Sequence, residues 1–272
     1  MKVVVCVKQV PMVAELPWDR ATGWLKRELA EGMMNPACKH ALEAALTLKE
    51  RTGAELTVIS MGPPAAEEVL REALALGADR GVLVSDRALA GADTLATSHT
   101  LAQAIRAVCP DHDLVLMGAL TSDSETGQVG PQVAEELDLP AAVCVERMEL
   151  IGRVLTVQRV SDGFLETLEL DLPALVTITT EHFHPRPTPL AGLETAFAQG
   201  QVSVLDAAAI QADPARVGQR GSGGRIVRVY SPTAQKKGQL LTGAVKKSVQ
   251  ELLDQHGDRL GGLIGKDLAG GE

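Results

Sequence analysis

The sequence predicts an α/β protein with a doubly wound, mostly parallel sheet. Three observations support this prediction. Short apolar runs rich in Val alternate with segments of helical length, hydrophobic residues make up 45% of the 272 residues, and aromatic residues make up only 2%. Packing must therefore rely on aliphatic side chains, and small aliphatic side chains allow helices to lie close to a sheet that is buried on both faces.

The first 140 residues contain four apolar runs, and helical patterns alternate with them along the chain. The runs indicate buried parallel strands, and the alternation indicates right-handed crossovers between them. We expect strands at Val3–Val7, Leu56–Ser60, Gly81–Val84 and Leu114–Met117, and helices at Pro36–Arg51, Ala65–Leu76, Thr94–Val108 and Gly127–Leu137. A fifth strand is expected at Ala142–Glu146, and a small hairpin at Trp18–Arg27.

The pattern changes after Met148. Apolar and polar residues alternate in Val154–Arg159 and Phe164–Leu170 around a turn at Asp162-Gly163, which predicts an antiparallel hairpin, and another strand is expected at Ala174–Thr179. Closely spaced prolines then end the regular pattern. We therefore predict an α/β domain at residues 1–184 and an extended C-terminal arm at residues 185–272, with a helix at Val245–Gln255.

Composition excludes several classes of protein. The formal net charge of −9 disfavours nucleic-acid binding. No apolar run is long enough to predict insertion in a membrane, and Lys8 and Pro11 interrupt the start too early for a secretory signal, so we expect a cytoplasmic protein. The cysteines lie far apart in the sequence, and we assign neither a metal site nor a catalytic residue.

Ligands of open parallel sheets bind at the carboxyl ends of the strands, and two loops there open helices with hydroxyl and amide groups. One precedes Thr94, Thr97 and Ser98, whose spacing places their hydroxyls along one helix edge, and the other runs from Thr121 to Gly127. Either loop could hold a phosphate at a helix N-terminus, or simply cap its own helix. The usual dinucleotide and triphosphate signatures are absent.

The sequence resembles the β subunit of electron-transferring flavoproteins over nearly its whole length. The resemblance is carried, in the family's order, by VVVCVKQVP, NPACKHALEAALTLKE, SDRALAGADTLATS, DSETGQVGP, DGFLETLELDLPALVT and PRPTPLAGLETA. It implies a Rossmann-like, adenine-nucleotide-binding fold. It also implies a heterodimer with a flavin-carrying α subunit, around which the arm would wrap.

The resemblance also implies the cofactors and partners. Ordinary β subunits hold AMP, whereas the electron-bifurcating subgroup, which the SDR and GADT-ATS segments resemble most, holds FAD in the same pocket; a second FAD belongs to the α subunit. In that subgroup NADH donates the electrons. They pass to an acyl-CoA dehydrogenase-like or other flavin or iron–sulfur oxidoreductase, or to ferredoxin or flavodoxin.

Site residues follow from the matching segments. The loop that matches GRQAIDGDTAQVGP in bifurcating relatives carries Ala119 and Leu120 in place of Arg-Gln, and Ser124 in place of Gly. Leu190, within Pro185–Ala196, matches the loop that docks the electron-transfer partner. The implied cofactor-binding residues are Cys6, Val7, Asn35, Pro36, Ala37, Cys38, Met61, Thr94, Thr97, Ser98, Asp123, Ser124, Glu125, Thr126, Gly127, Gln128 and Val129.

Overall fold

The computed structural model describes residues 1–12, 31–198, 200, 202–225, 227, 238 and 240–268. The chain divides into two compact units, Met1–Val229 and Tyr230–Glu272. The hairpin predicted at Trp18–Arg27 lies outside the described residues.

The first unit is organised around a mixed sheet, which has nine strands among the described residues, in the order β11-β5-β4-β1-β6-β10-β7-β8-β9. These strands are β1 (Lys2–Val7), β4 (Glu55–Met61), β5 (Arg80–Val84), β6 (Leu114–Gly118), β7 (Ala141–Ile151), β8 (Val154–Ser161), β9 (Phe164–Asp171), β10 (Ala174–Ile178) and β11 (Val202–Leu205). A separate antiparallel ribbon joins β2 (Gln9–Pro11) to β3 (Gly32–Met34).

Helices cover both faces of this sheet, and the doubly wound prediction is confirmed. The helices of the first unit are α1 (Pro36–Thr52), α2 (Glu67–Leu76), α3 (Thr94–Val108), α4 (Val129–Leu137), α5 (Leu190–Ala198) and α6 (Gly218–Gly221). One buried cluster contains side chains of α1 and α2, and the other contains side chains of α3 and α4. The chain winds outward from β1 through β4 and β5, and then returns to β6 on the other side of β1.

Local sequence explains where α1 begins and ends. Pro36 occupies its first turn, where a missing N–H costs nothing, and Gly53 follows its last residue with a left-handed backbone (φ 69°). The cations Lys49 and Arg51 lie in the last turn, where their positive charges interact favourably with the negative end of the helix dipole. The predicted helix Pro36–Arg51 is therefore confirmed with nearly the same bounds.

The antiparallel part of the sheet also matches its prediction. Strands β8 and β9 pair over their whole lengths. Asp162 and Gly163 between them both adopt positive φ, 50° and 81°, as a two-residue hairpin turn requires.

The sheet takes in more of the chain than the sequence predicts. Strand β11 pairs with β5 in parallel, and Ile210 and Val217 are buried in the same cluster as α3. The first compact unit thus includes residues 185–229, which the sequence analysis placed in the arm. A four-residue strand with partly exposed side chains gives too weak a pattern to be recognised from sequence.

The second unit contains α7 (Val245–Leu268), which is longer than the helix predicted at Val245–Gln255. Gly257, Gly261 and Gly262 lower helix propensity in the part that the prediction missed. Within the described residues, none of the helices combines the length and the apolar character that crossing a membrane requires.

Candidate nucleotide-binding site

The candidate site lies where the winding direction of the sheet reverses, at the carboxyl ends of β1 and β6. These strands are parallel neighbours, with Cys6 opposite Met117. Met61 ends β4, the neighbour of β1 on the other side. In open α/β sheets such a reversal leaves a crevice in which ligands bind. The topology therefore places the carboxyl ends of β4, β1 and β6 side by side at one edge of the sheet.

Gly118 allows α1 to begin directly over the end of β6. A Cβ atom at Gly118 would lie 2.7 Å from the backbone C of Ala37 and 2.8 Å from the backbone N of Cys38. Both distances are shorter than a real Cβ contact, so a larger residue would push α1 away. This close approach fixes the first turn of α1 in the crevice.

Asn35, which immediately precedes α1, ties the loop after β6 to that helix. Its side chain is 1% exposed. The Nδ2 group donates to the carbonyl of Leu120 at 2.8 Å, and Oδ1 accepts from the backbone N–H of Ser122 at 3.0 Å. Both ends of the amide are satisfied by the loop, so Asn35 acts as a buried brace.

Lys8 and Asp123 form an ion pair across the site. The Lys8 Nζ lies 2.7 Å from Oδ1 and 2.8 Å from Oδ2 of Asp123, whose side chain is only 11% exposed. The pairing neutralises a carboxylate that would otherwise repel a bound phosphate. Lys8 is not among the site residues predicted from the sequence. Its position directly after β1 was the available signal.

The loop from Thr121 to Gln128 presents free backbone donors. Its first turn is closed by the Glu125 N–H, which donates to the Thr121 carbonyl at 2.8 Å. Gly127 then adopts φ 64°, and α4 begins at Val129. No described residue accepts a hydrogen bond from the backbone N–H of Thr126, Gly127 or Gln128. Adjacent free N–H groups at a helix N-terminus form an anion-binding arrangement.

The first turn of α3 lies beside this loop. The Thr94 hydroxyl donates to Gln128 Oε1 at 2.9 Å. Ser98 is buried, and its hydroxyl oxygen lies 2.6 Å from the Thr94 carbonyl oxygen and 2.9 Å from Gln132 Oε1, so it links the first turn of α3 to α4. The Thr97 hydroxyl, half-buried, has no hydrogen-bond partner in the described part of the chain. The two loops predicted from sequence are therefore in direct contact.

A later segment holds the start of α3 in place. The Asp93 carboxylate caps α3 by accepting from the Ala96 N–H at 3.1 Å, and it also accepts from the Gly224 N–H at 2.8 Å. Conversely, the Asp93 N–H donates to the Ser222 hydroxyl at 2.9 Å. Sequence reasoning missed this contact, because about 130 residues separate its two sides and GSGG carries no specific signal.

The cysteines at the site are not poised for nucleophilic chemistry. Burial raises the pKa of the Cys6 thiol to about 12, with the nearby Cys38 adding to the shift. Burial also raises the pKa of Cys38, against hydrogen bonds that lower it. Both thiols are therefore protonated at neutral pH. Cys6 and Cys38 are both buried and contribute apolar side chains beside the site.

Comparison with known proteins identifies the family. A family model described as "Electron transfer flavoprotein domain" matches residues 22–210. The chain belongs to the electron transfer flavoprotein family. The resemblance seen in the sequence is therefore confirmed, and the chain corresponds to the β subunit of this electron-transfer system.

Individual relatives agree with this assignment of the flavoprotein β subunit. An electron transfer flavoprotein subunit beta from Thermoanaerobacterium thermosaccharolyticum is 39% identical over 259 residues, covering 95% of this chain and 99% of that protein. The caffeyl-CoA reductase-Etf complex subunit CarD from Acetobacterium woodii is 40% identical over 250 residues, covering 92% of this chain and 95% of that protein. The acryloyl-CoA reductase electron transfer subunit gamma from Anaerotignum propionicum is 35% identical over 262 residues, covering 94% of this chain and 97% of that protein.

Proposed function

We propose that this β subunit pairs with a flavin-carrying α subunit, holds a second FAD in the crevice between β1 and β6, and takes part in electron bifurcation from NADH. When bound, this FAD would supply the chemistry that accepts a hydride and sends its two electrons to different acceptors. The protein's own residues bind and orient the nucleotide and shield it from water.

The contact between two helix N-termini carries this proposal. The free N–H groups of Thr126, Gly127 and Gln128 form one anion-binding position, and the Thr97 hydroxyl, near the start of α3, offers a second donor in the adjoining turn. The hydrogen bond between Thr94 and Gln128 holds the two side by side. AMP has one phosphate, whereas FAD has a pyrophosphate. Two adjoining positions suit the pyrophosphate better.

Asn35 and Gly118 would support the rest of the nucleotide indirectly, because they fix α1 and the loop after β6 around the crevice. The implied residues Cys6, Val7, Pro36, Ala37, Cys38, Met61, Asp123, Ser124, Glu125 and Val129 would line it. A conventional β subunit that holds AMP in the same crevice is the second candidate. The same N–H groups would bind its single phosphate.

The partners are inferred from the relatives. CarD is named as a subunit of a reductase–Etf complex, and the Anaerotignum protein as an electron transfer subunit of a reductase. We therefore infer an α subunit, wrapped by the C-terminal arm, and an acyl-CoA dehydrogenase-like or similar oxidoreductase, with ferredoxin or flavodoxin as the second acceptor. Leu190, which is 84% exposed, is the proposed anchor for the oxidoreductase.

The cofactor is tested by counting flavins in the heterodimer purified after co-expression with its α subunit. Two flavins per heterodimer support the bifurcating role, and one flavin plus AMP supports the conventional role. Gly127→Val should remove the nucleotide from the β subunit, because its Cβ would lie 3.2 Å from Leu120 Cδ2 and φ is 64°. Gly152→Val is the matched control, since Gly152 has the same φ of 64° in the β7–β8 turn with nothing within 4 Å.

Thr97→Val separates the two candidates further. It keeps the shape of the side chain and removes the hydroxyl, so the affinity for FAD should fall about tenfold while the affinity for AMP should change little. Equal losses for both nucleotides would contradict the assignment of a second phosphate position. Unchanged nucleotide content in Gly127→Val would contradict the site itself.

A further inference from the structure

The segment Pro185–Ala198, here called the docking surface, is fixed to α1 and α2 at three points. At its start, Arg186 forms an ion pair with Glu43 of α1. The Arg186 Nη2 lies 2.8 Å from Glu43 Oε1, and the Arg186 Nε lies 2.9 Å from Glu43 Oε2. In its middle, Gly192 lies so close to α2 that a Cβ there would be 2.3 Å from the Ala75 carbonyl oxygen. At its end, Arg71 donates to the Ala196 carbonyl at 2.8 Å.

Two large apolar side chains of this fixed segment face solvent. Leu190 is 84% exposed and Phe197 is 60% exposed, although the whole chain contains only three phenylalanines. They stand seven residues apart on α5, and two helical turns place them on one face, separated by about 10 Å. Exposure of a scarce aromatic residue on a held helix is typical of an interaction surface.

Phe197 is positioned before any partner arrives. The Arg71 guanidinium carbon lies 5.2 Å from the centroid of the Phe197 ring. Arg71 is itself held by Glu67, with Nε 2.8 Å from Oε1. Because this stack restricts the ring, Phe197 loses little conformational freedom when it becomes buried.

A carboxylate lies between the two apolar side chains. Glu194 is exposed on the same helix face, four residues after Leu190 and three before Phe197. It forms no ion pair with any described residue. A partner that covers this face therefore binds more favourably if it presents a cation to Glu194.

We propose that Leu190 and Phe197 form a two-point anchor for the electron-exchanging oxidoreductase. Its complementary groove would hold two apolar pockets about 10 Å apart with a Lys or Arg side chain between them. Phe197 then helps to determine partner specificity. This inference rests on the proposed docking role of Leu190. A second copy of this chain is disfavoured as occupant, since it would place another Glu194 at this surface and has the same formal net charge of −9 as the first copy.

The test measures electron transfer from the intact heterodimer to a purified acyl-CoA dehydrogenase, chosen because it exchanges electrons with the wild type. Dichlorophenolindophenol serves as a small acceptor that needs no docking surface. Phe197→Ala should raise KM for the dehydrogenase about tenfold, with kcat within about twofold and dye reduction unchanged. Phe197→Leu should restore part of the loss, and Glu194→Lys should raise KM more than Glu194→Gln does.

The matched control is Phe164→Ala, which removes a phenylalanine from the start of β9 that is even more exposed (72%) than Phe197. It should leave KM unchanged. If Leu190→Ala raises KM and Phe197→Ala does not, the two-point anchor is wrong and the docking role stands. If neither changes KM, the docking role itself is wrong. A wild-type assembly of two heterodimers that Phe197→Ala dissociates in sedimentation would overturn the choice of occupant.

Discussion

Asn35 offers the sharpest test of how the crevice is built. Its buried amide donates to the Leu120 carbonyl and accepts from the Ser122 N–H, so it holds the loop after β6 against the start of α1. Asn35→Ala removes both hydrogen bonds and leaves two backbone groups facing a small void. We expect the variant to lose both global stability and nucleotide affinity.

The magnitude follows from the contacts. Two hydrogen bonds contribute about 1 kcal/mol each, and the Leu120 carbonyl left without its donor costs a further 1–2 kcal/mol or so, which gives about 3–4 kcal/mol in total. Because the loop carries the free N–H groups of the proposed phosphate position, part of this loss should appear as weaker nucleotide binding. The full chain should be measured by urea unfolding, and nucleotide affinity by calorimetry.

Asn35→Asp adds a pH dependence whose sign is fixed by the geometry. A carboxylate would still accept from Ser122, but it would face the Leu120 carbonyl oxygen, whereas a protonated carboxyl group could donate to that oxygen. The folded-state pKa of the new carboxyl group is therefore raised, and stability should fall as pH increases above its unfolded value of about 4. Thr100→Val is the control for loss of a buried hydrogen bond away from the crevice, because Thr100 is buried and donates within α3, to the Ala96 carbonyl. It should leave nucleotide affinity unchanged and add no pH dependence.

The brace interpretation would be refuted by a loss below about 1 kcal/mol in Asn35→Ala, together with unchanged nucleotide affinity. It would also fail if Asn35→Asp were equally stable from pH 4 to pH 8.

Two further predictions concern ion pairs. Lys8→Met removes the cation that pairs with the Asp123 carboxylate at the crevice, so nucleotide affinity should fall about tenfold, and high salt should reduce the deficit by screening. The double variant Lys8→Met/Asp123→Asn should recover the affinity, and equal affinity in all three proteins would contradict the role of the pair. Burial raises the pKa of Glu43, but its bonds to Arg186 outweigh this effect, and the net pKa lies below the ordinary 4.5. The stability difference between wild type and Arg186→Met should therefore be constant above pH 6 and shrink as pH falls below 4.5; a difference that grew in acid would reverse the assignment.

Much of the fold was predictable because its strands are buried on both faces. Strands β1, β4, β5 and β6 are continuous apolar runs bounded by turn residues, and such runs are visible in a single sequence. Boundaries were less predictable. The helix expected from Gly127 begins at Val129, because the left-handed backbone of Gly127 cannot continue into a helix. The strand expected at Ala142–Glu146 extends to Ile151, because β8 pairs with it.

The candidate site was predictable as a set of loops but not as a set of contacts. The carboxyl ends of parallel strands meet at one edge, which brings the loops of α3 and α4 together without further information. Lys8 and Asp123 are 115 residues apart, and their pairing depends on β6 returning to the side of β1. The contact of Asp93 with Ser222 depends on a segment that was assigned to the arm. Local pattern carries no information about either pair.

Helix α1 connects the proposed nucleotide site and the proposed docking surface of the first unit. It begins at Pro36, inside the crevice, and carries Glu43, which fixes the docking surface through Arg186. Two turns of helix separate these points, and helix geometry sets their axial distance at about 10 Å. Because α1 packs on the sheet along its buried face, it has little freedom to bend. The bound nucleotide and the docked oxidoreductase would therefore both be positioned by the same rigid helix. Variants of Asn35, at its start, should alter nucleotide binding, and variants of Arg186, which pairs with Glu43 of this helix, should alter docking.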